Sequence, residues 1–163
     1  MDQKLHQVYI DVNAFSKIMN HAKKNLSKEV GGFLIGCLYN ILGKITLYIL
    51  DAVPAKSVTA SFVRVEMHPE SSIEVIDSIQ KHSNKFNSPL CVGWYHSHPF
   101  GSKVSPSGTD EETMKTFFDK WYQVSIIVDP KSDDWNIYQV TPSGVKSIKS
   151  LCYFVILLEN SSV

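Results

Sequence analysis

Two histidines one residue apart, His96-Ser97-His98, followed after a loop by Asp110, are the side chains in this sequence best placed to do chemistry. The apolar run Cys91-Val92-Gly93-Trp94-Tyr95 leads into them and predicts a buried strand. Alternate side chains of a strand share a face, so His96 and His98 project together while Ser97 points away. Two imidazoles on one face and a nearby carboxylate make a three-ligand set that suits zinc, with a fourth position left open for water. His-x-His alone is a weak signal, since either ring also fits as a surface residue or as a hydrogen-bonded neighbour of the core. Pro99 and Gly101 force the chain out of the strand just past the second histidine, which places both rings at a sheet edge. Ser105-Pro106-Ser107-Gly108 then starts a helix, putting Asp110 in its first turn, where a carboxylate also suits the helix dipole.

The elements that must hold these residues read as alternating helices and strands. Residues 6–11 alternate as a short strand. Phe15, Ile18, Met19, Ala22 and Leu26 recur at helical spacing and predict a helix over about 13–26. From Val30 to Tyr39 the chain is almost continuously apolar, with Gly31, Gly32 and Gly36, as expected of a central strand closely approached by its neighbours. Asn40–Gly43 predicts a hairpin turn into a strand over 44–53, then a loop over 54–59 and a strand over 62–66. A helix is expected from about 68 to 86 with Ile73, Ile76 and Ile79 facing in; His68 and His82 read as isolated surface residues. After Asp110, Met114, Phe117, Phe118 and Trp121 form an aromatic core stripe on a helix. Val124–Val128 and Trp135–Val140 are strands, and the tail from Val145 reads equally as strand or helix. The fold class is α/β, a mixed sheet sandwiched by helices.

A length of 163 residues, 44% of them hydrophobic, suits a single domain with a sizeable core. The 16 basic and 16 acidic residues balance, with no basic stripe for nucleic acid and no polybasic run for a membrane. Cys37, Cys91 and Cys152 are far apart and form no Cys-x-x-Cys pair, which favours reduced thiols in a cytoplasmic protein. The N-terminus lacks the apolar stretch of a signal peptide, and the longest apolar run, Leu151–Leu158, is too short to span a bilayer.

His96-Ser97-His98-Pro99 followed by Ser107-x-x-Asp110 resembles the core of the JAMM (MPN+) zinc metalloprotease motif. The upstream stretch Glu29-Val30-Gly31-Gly32-Phe33-Leu34-Ile35-Gly36 is similar to the family's glutamate-bearing strand. Gly93-Trp94-Tyr95 and Val124-Ser125-Ile126-Ile127-Val128-Asp129-Pro130 match its order on either side. Within the family the chain looks most like the deubiquitinase subunit of the proteasome lid and its archaeal relatives, over about residues 5–140. The resemblance implies an MPN (JAB/JAMM) fold with cytidine-deaminase-like architecture, one domain over 1–163, with 145–163 outside the clear match. Deaminase chemistry itself lacks its His-x-Glu and Pro-Cys-x-x-Cys residues. Eleven residues, Pro99 to Thr109, separate His98 from Asp110, one more than the family usually has. A loop absorbs one residue cheaply, and the 101–105 segment is its expected place. Counting from His98 favours Ser105 as the motif serine; the helix-turn spacing to Asp110 favours Ser107.

The resemblance implies one Zn2+ per chain on His96, His98 and Asp110, lowering the pKa of its water from about 15.7 toward ~7. Glu29 would be the general acid/base and Ser107 the donor to the oxyanion. The implied substrate is the amide between a ubiquitin or ubiquitin-like C-terminus and a lysine, contacted by segments 58–70 and 101–108. Alternatives are a scaffold subunit dependent on another MPN domain or a proteasome-like complex, and a zinc hydrolase of a small-molecule or carrier-bound amide.

Overall fold

The computed structural model describes residues 3–55, 72–101 and 103–157. In chain order they form β1 (Gln7–Asp11), α1 (Val12–Lys23), β2 (Gly31–Ile41), β3 (Lys44–Pro54) and α2 (Ile73–Ser83). These are followed by β4 (Leu90–Ser97), α3 (Gly108–Phe117), β5 (Val124–Asp129), β6 (Asp134–Thr141) and β7 (Gly144–Ser147), then a 3-10 turn (Lys149–Leu151) and β8 (Cys152–Val155). The strands make one mixed sheet in the order β7-β6-β5-β4-β2-β3-β1-β8. The contacts β1–β3, β1–β8 and β4–β5 are parallel, and the rest are antiparallel. The expected sandwich of helices around a mixed sheet is the observed architecture.

Each face of the sheet has its own core. Ile18, Met19 and Ala22 of α1 pack on Val8, Leu34, Leu47, Ile49, Tyr95 and Ile126. On the other face Val75 of α2 and Met114 of α3 pack on Phe33, Ile35, Trp94, Ile127 and Tyr138. A bulge in β4 decides which face receives the histidines. The β2–β4 register shifts between Leu34, opposite Gly93, and Ile35, opposite Cys91. As a result Val92 packs with α1 whereas Trp94, two residues on, packs on the α3 side, and His96 follows Trp94. Gly93 takes φ +147, and a Cβ there would lie 1.8 Å from the Val124 carbonyl oxygen, so only glycine permits this step. The close approach expected of β2 is present at Gly32, whose Cβ would meet the Val53 oxygen at 2.2 Å.

Four expectations need correction. The first helix ends at Lys23, where the Lys24 N–H turns back to Asn20 and Ala22 and Asn25 Nδ2 donates to the His21 carbonyl; Leu26 falls beyond it, exposed. In α2, Ile73 and Ile76 are 71% and 40% exposed, and Val75 and Ser78 face inward instead. The helix is rotated to bring the Ser78 hydroxyl onto buried Asp51, a polar contact that the apolar spacing did not signal. Trp121 lies past the end of α3 and packs on the α1-side core rather than extending the helical stripe. The tail is not one element: β7 extends one edge of the sheet and β8 pairs with β1 at the other. The expected strand over 62–66 and the helix start at 68–71 lie outside the described residues.

Candidate metal centre

Strand β4 delivers His96 and His98 from its C-terminal end, and α3 delivers Asp110 from its first turn. His96 Nε2 and His98 Nε2 stand 3.0 Å apart. Asp110 Oδ1 is 3.2 Å from the first and Asp110 Oδ2 3.4 Å from the second. Zinc binds such atoms at about 2.0–2.2 Å, which for a tetrahedron puts ligand atoms roughly 3.3–3.6 Å apart. The two Asp110 contacts run through different oxygens, and one ligand atom from each residue can be chosen with all three within 4.8 Å of one another. Both rings are buried, and the Asp110 side chain is 13% exposed.

Protonation also fits a cation. His98 Nδ1 lies 3.1 Å from the Lys103 carbonyl oxygen, which only accepts, so this nitrogen carries a proton, and in the neutral ring Nε2 then offers its lone pair to the cluster. His96 Nδ1 is buried without a partner among the described residues, and its ring is held by stacking on Trp94, 4.4 Å between centroids. Trp94 in turn stacks on Phe118 at 5.8 Å, forming an apolar floor. Burial by itself would raise the Asp110 pKa, but hydrogen bonding with His96 and His98 holds the carboxyl well below the usual range. Asp110 reciprocally raises His98, against the opposing effect of burial. The carboxylate therefore makes a field that favours positive charge at the centre of the three.

Ser107 is the N-cap of α3. Its Oγ accepts from the Asp110 N–H at 3.2 Å, and its own N–H donates to Asp110 Oδ2 at 2.7 Å, a reciprocal capping box. Asp110 is thus aimed by backbone geometry, and the helix-turn spacing that favoured Ser107 over Ser105 is real as a structural relation. Glu29 stands just outside the first paired residues of β2. Gly31 pairs with His96, and continuing this antiparallel register outward sets Glu29 beside His98. The Glu29 charge is among those raising His98. Its strand is clamped to the histidine strand: the Ser97 N–H donates to the Val30 carbonyl at 2.8 Å, and Ser97 Oγ accepts the Val30 N–H at 3.0 Å.

The structure thus brings His96, His98 and Asp110 together, with Ser107 bonded to Asp110 and Glu29 flanking. Sequence reasoning gave Ser97 only a direction, and missed the Lys103 carbonyl and the support of its loop by Tyr138, whose hydroxyl donates to the Val104 carbonyl at 2.8 Å. The residues between them and His98 follow no periodic pattern that would reveal these contacts. Of the other histidines, His82 is satisfied within its helix by the Ser78 carbonyl. None of Cys37, Cys91 and Cys152 is in a disulfide, and burial pushes the Cys37 thiol up to about 11 and Cys152 up to about 12, away from nucleophile chemistry. Among the described residues no helix is long and apolar enough to cross a membrane.

The 26S proteasome non-ATPase regulatory subunit 14 of Drosophila melanogaster is 32% identical over 127 residues, 76% of this chain and 38% of its own length. The Lys-63-specific deubiquitinase BRCC36 of Camponotus floridanus is 29% identical over 117 residues, 71% of this chain and 44% of its own. The COP9 signalosome complex subunit 5 of Candida albicans is 30% identical over 129 residues, 77% of this chain and 20% of its own. The chain therefore spans less than half the length of these relatives. The solution structure of protein DSY2949 from Desulfitobacterium hafniense superposes with a TM-score of 0.67 at 17% identity, covering 95% of this chain and 97% of that one, a likeness of fold. Residues 3–119 match the JAB1/Mov34/MPN/PAD-1 ubiquitin protease family, and the chain belongs to that family.

Proposed function

We propose that this chain is a zinc-dependent isopeptidase that hydrolyses the amide between the C-terminus of ubiquitin or a ubiquitin-like modifier and a lysine. The observation that carries the reading is the convergence of three buried ligand atoms, with the His98 tautomer fixed by the Lys103 carbonyl. His96 and His98 through Nε2 and Asp110 through its carboxylate would hold the ion. When bound, zinc supplies Lewis acidity, making water a nucleophile near neutral pH and polarising the scissile carbonyl.

The chain's own groups do the rest. Glu29 is the acid/base: its carboxylate takes a proton from the attacking water and returns it to the departing lysine amine, a role typically worth ~10²–10⁴ in rate. The Ser107 hydroxyl accepts from the Asp110 N–H, and its own hydrogen is the donor for the carbonyl oxygen as that oxygen gains charge. Trp94 and Phe118 keep water from the inner side of His96. The names of the relatives, a proteasome regulatory subunit and a signalosome subunit, support work within a larger assembly, and a cytoplasmic location follows from the same reading.

The test is hydrolysis of a lysine-linked ubiquitin conjugate by the purified chain, before and after chelation and after zinc is restored. Cleavage that is lost with zinc and regained with it is the expected result. Zinc binding without cleavage of any modifier conjugate, but with turnover of a small amide, would move the reading to the small-molecule hydrolase.

A further inference from the structure

We propose that Tyr138 is a positioning residue of the metal centre: its hydroxyl pins the loop whose Lys103 carbonyl orients His98. The proposal rests on His96, His98 and Asp110 being metal ligands. The segment that joins β4 to α3 is irregular at Lys103, and Lys103 and Ser105 within it are exposed. A carbonyl in such a loop would orient a ring poorly unless something fixed the backbone beside it. The fixing group is one peptide away. His98 Nδ1 donates to the Lys103 oxygen at 3.1 Å, and Tyr138 Oη donates to the next carbonyl, Val104, at 2.8 Å.

The direction of the tyrosine proton is set by its neighbours. Asn136 Oδ1 accepts from Ser147 Oγ at 2.7 Å and from the Ile137 N–H at 2.8 Å. The Asn136 amide nitrogen then donates to Tyr138 Oη at 2.8 Å, which leaves the phenolic hydrogen for Val104. The ring itself is 8% exposed and packs with Trp94, Met114 and Ile127, so the hydroxyl is presented by a rigid strand rather than by a mobile side chain. Asn136, Tyr138 and Ser147 all lie beyond residues 3–119, the part that matches the family. The support of His98 therefore comes from β6 and β7, outside the matched segment.

Tyr138→Phe keeps the ring and removes the bond. Three readouts decide the matter: the His98 ring in ¹H–¹⁵N NMR, with and without zinc; zinc affinity by competition with a chromophoric chelator; and thermal unfolding. The expected result is a His98 Nδ1–H signal that weakens or broadens in the variant while His21 and His82 keep theirs. Zinc binding should weaken by about tenfold, as for loss of other outer-shell partners, with only a small change in unfolding temperature. Asn136→Ala, which keeps the tyrosine, should move the same His98 signal less far and serves if the phenylalanine variant does not fold. A His98 signal identical to wild type in the folded variants overturns the proposal whatever the zinc affinity. Failure of the wild type to take up zinc would instead remove the metal reading, while the His98 signal still decides whether Tyr138 orients that ring.

Discussion

Asp51 and Asp110 are both poorly exposed carboxylates facing groups that can carry positive charge, yet their surroundings differ in kind. Asp51 accepts from donors only: Lys17 Nζ, Ser78 Oγ at 2.8 Å and the Ala52 N–H at 2.9 Å. Its charge is answered within the fold, joining α1 and α2 to β3. Asp110 accepts from the Ser107 N–H and otherwise faces two imidazole nitrogens. At His98 the Lys103 carbonyl holds a proton on the far side of the ring, so the neutral ring offers a lone pair on the near side. Burial alone does not distinguish a structural carboxylate from a ligand; the count of donors and lone pairs does.

That contrast can be broken most severely at Asp110. Asp110→Asn should weaken zinc binding by more than the ~10–100-fold that loss of an outer-shell partner costs, and turnover should vanish with it; metal titration checks this. Ser107→Ala should lose about 1 kcal/mol of helix capping and ~10²–10³ in rate. Ser105→Ala should leave both near wild type, and equal losses in the two variants would remove the assignment of Ser107. Asp51→Asn should leave zinc affinity unchanged and cost about 1–3 kcal/mol of stability, the lower figures favoured because Lys17 is half exposed.

The same carboxylate sets an acid dependence. Burial pushes the Asp51 pKa up, but bonds from Lys17 and Ser78 outweigh it and hold the folded value below the ordinary one. A depressed folded pKa stabilises above the unfolded value, about 3.9, and this contribution is lost as pH falls through the folded value. Wild-type stability should therefore drop on acidification below about pH 4 more steeply than that of Asp51→Asn, in urea titrations at each pH. The smallest contrast lies on α2. Val75→Ala should cost about 2 kcal/mol as a buried truncation, whereas Ile73→Ala, on the exposed face, should stay within about 0.5 kcal/mol.

The features legible in the sequence were local. His96 and His98 share a face because strands alternate, and Asp110 falls at the third position of its helix because Ser107 is a good cap; both relations span a few residues. What was not legible depended on partners far along the chain. The Gly93 bulge, which sets the face His96 occupies, depends on a register with β2 and a close approach by Val124. Ser78 turns α2 because Asp51 lies on a distant strand, and β8 is a strand because β1 offers it an open edge. Tyr138 acts at His98 from across the sheet through a loop with no regular structure.

The most direct test of the central claim compares wild type with Glu29→Gln for bound zinc and for cleavage of a lysine-linked ubiquitin conjugate. About one zinc in each protein is expected, with a loss of ~10²–10⁴ in turnover in the variant alone. Equal cleavage by both would contradict the role of Glu29, and absence of zinc from the wild type would contradict the metal centre itself.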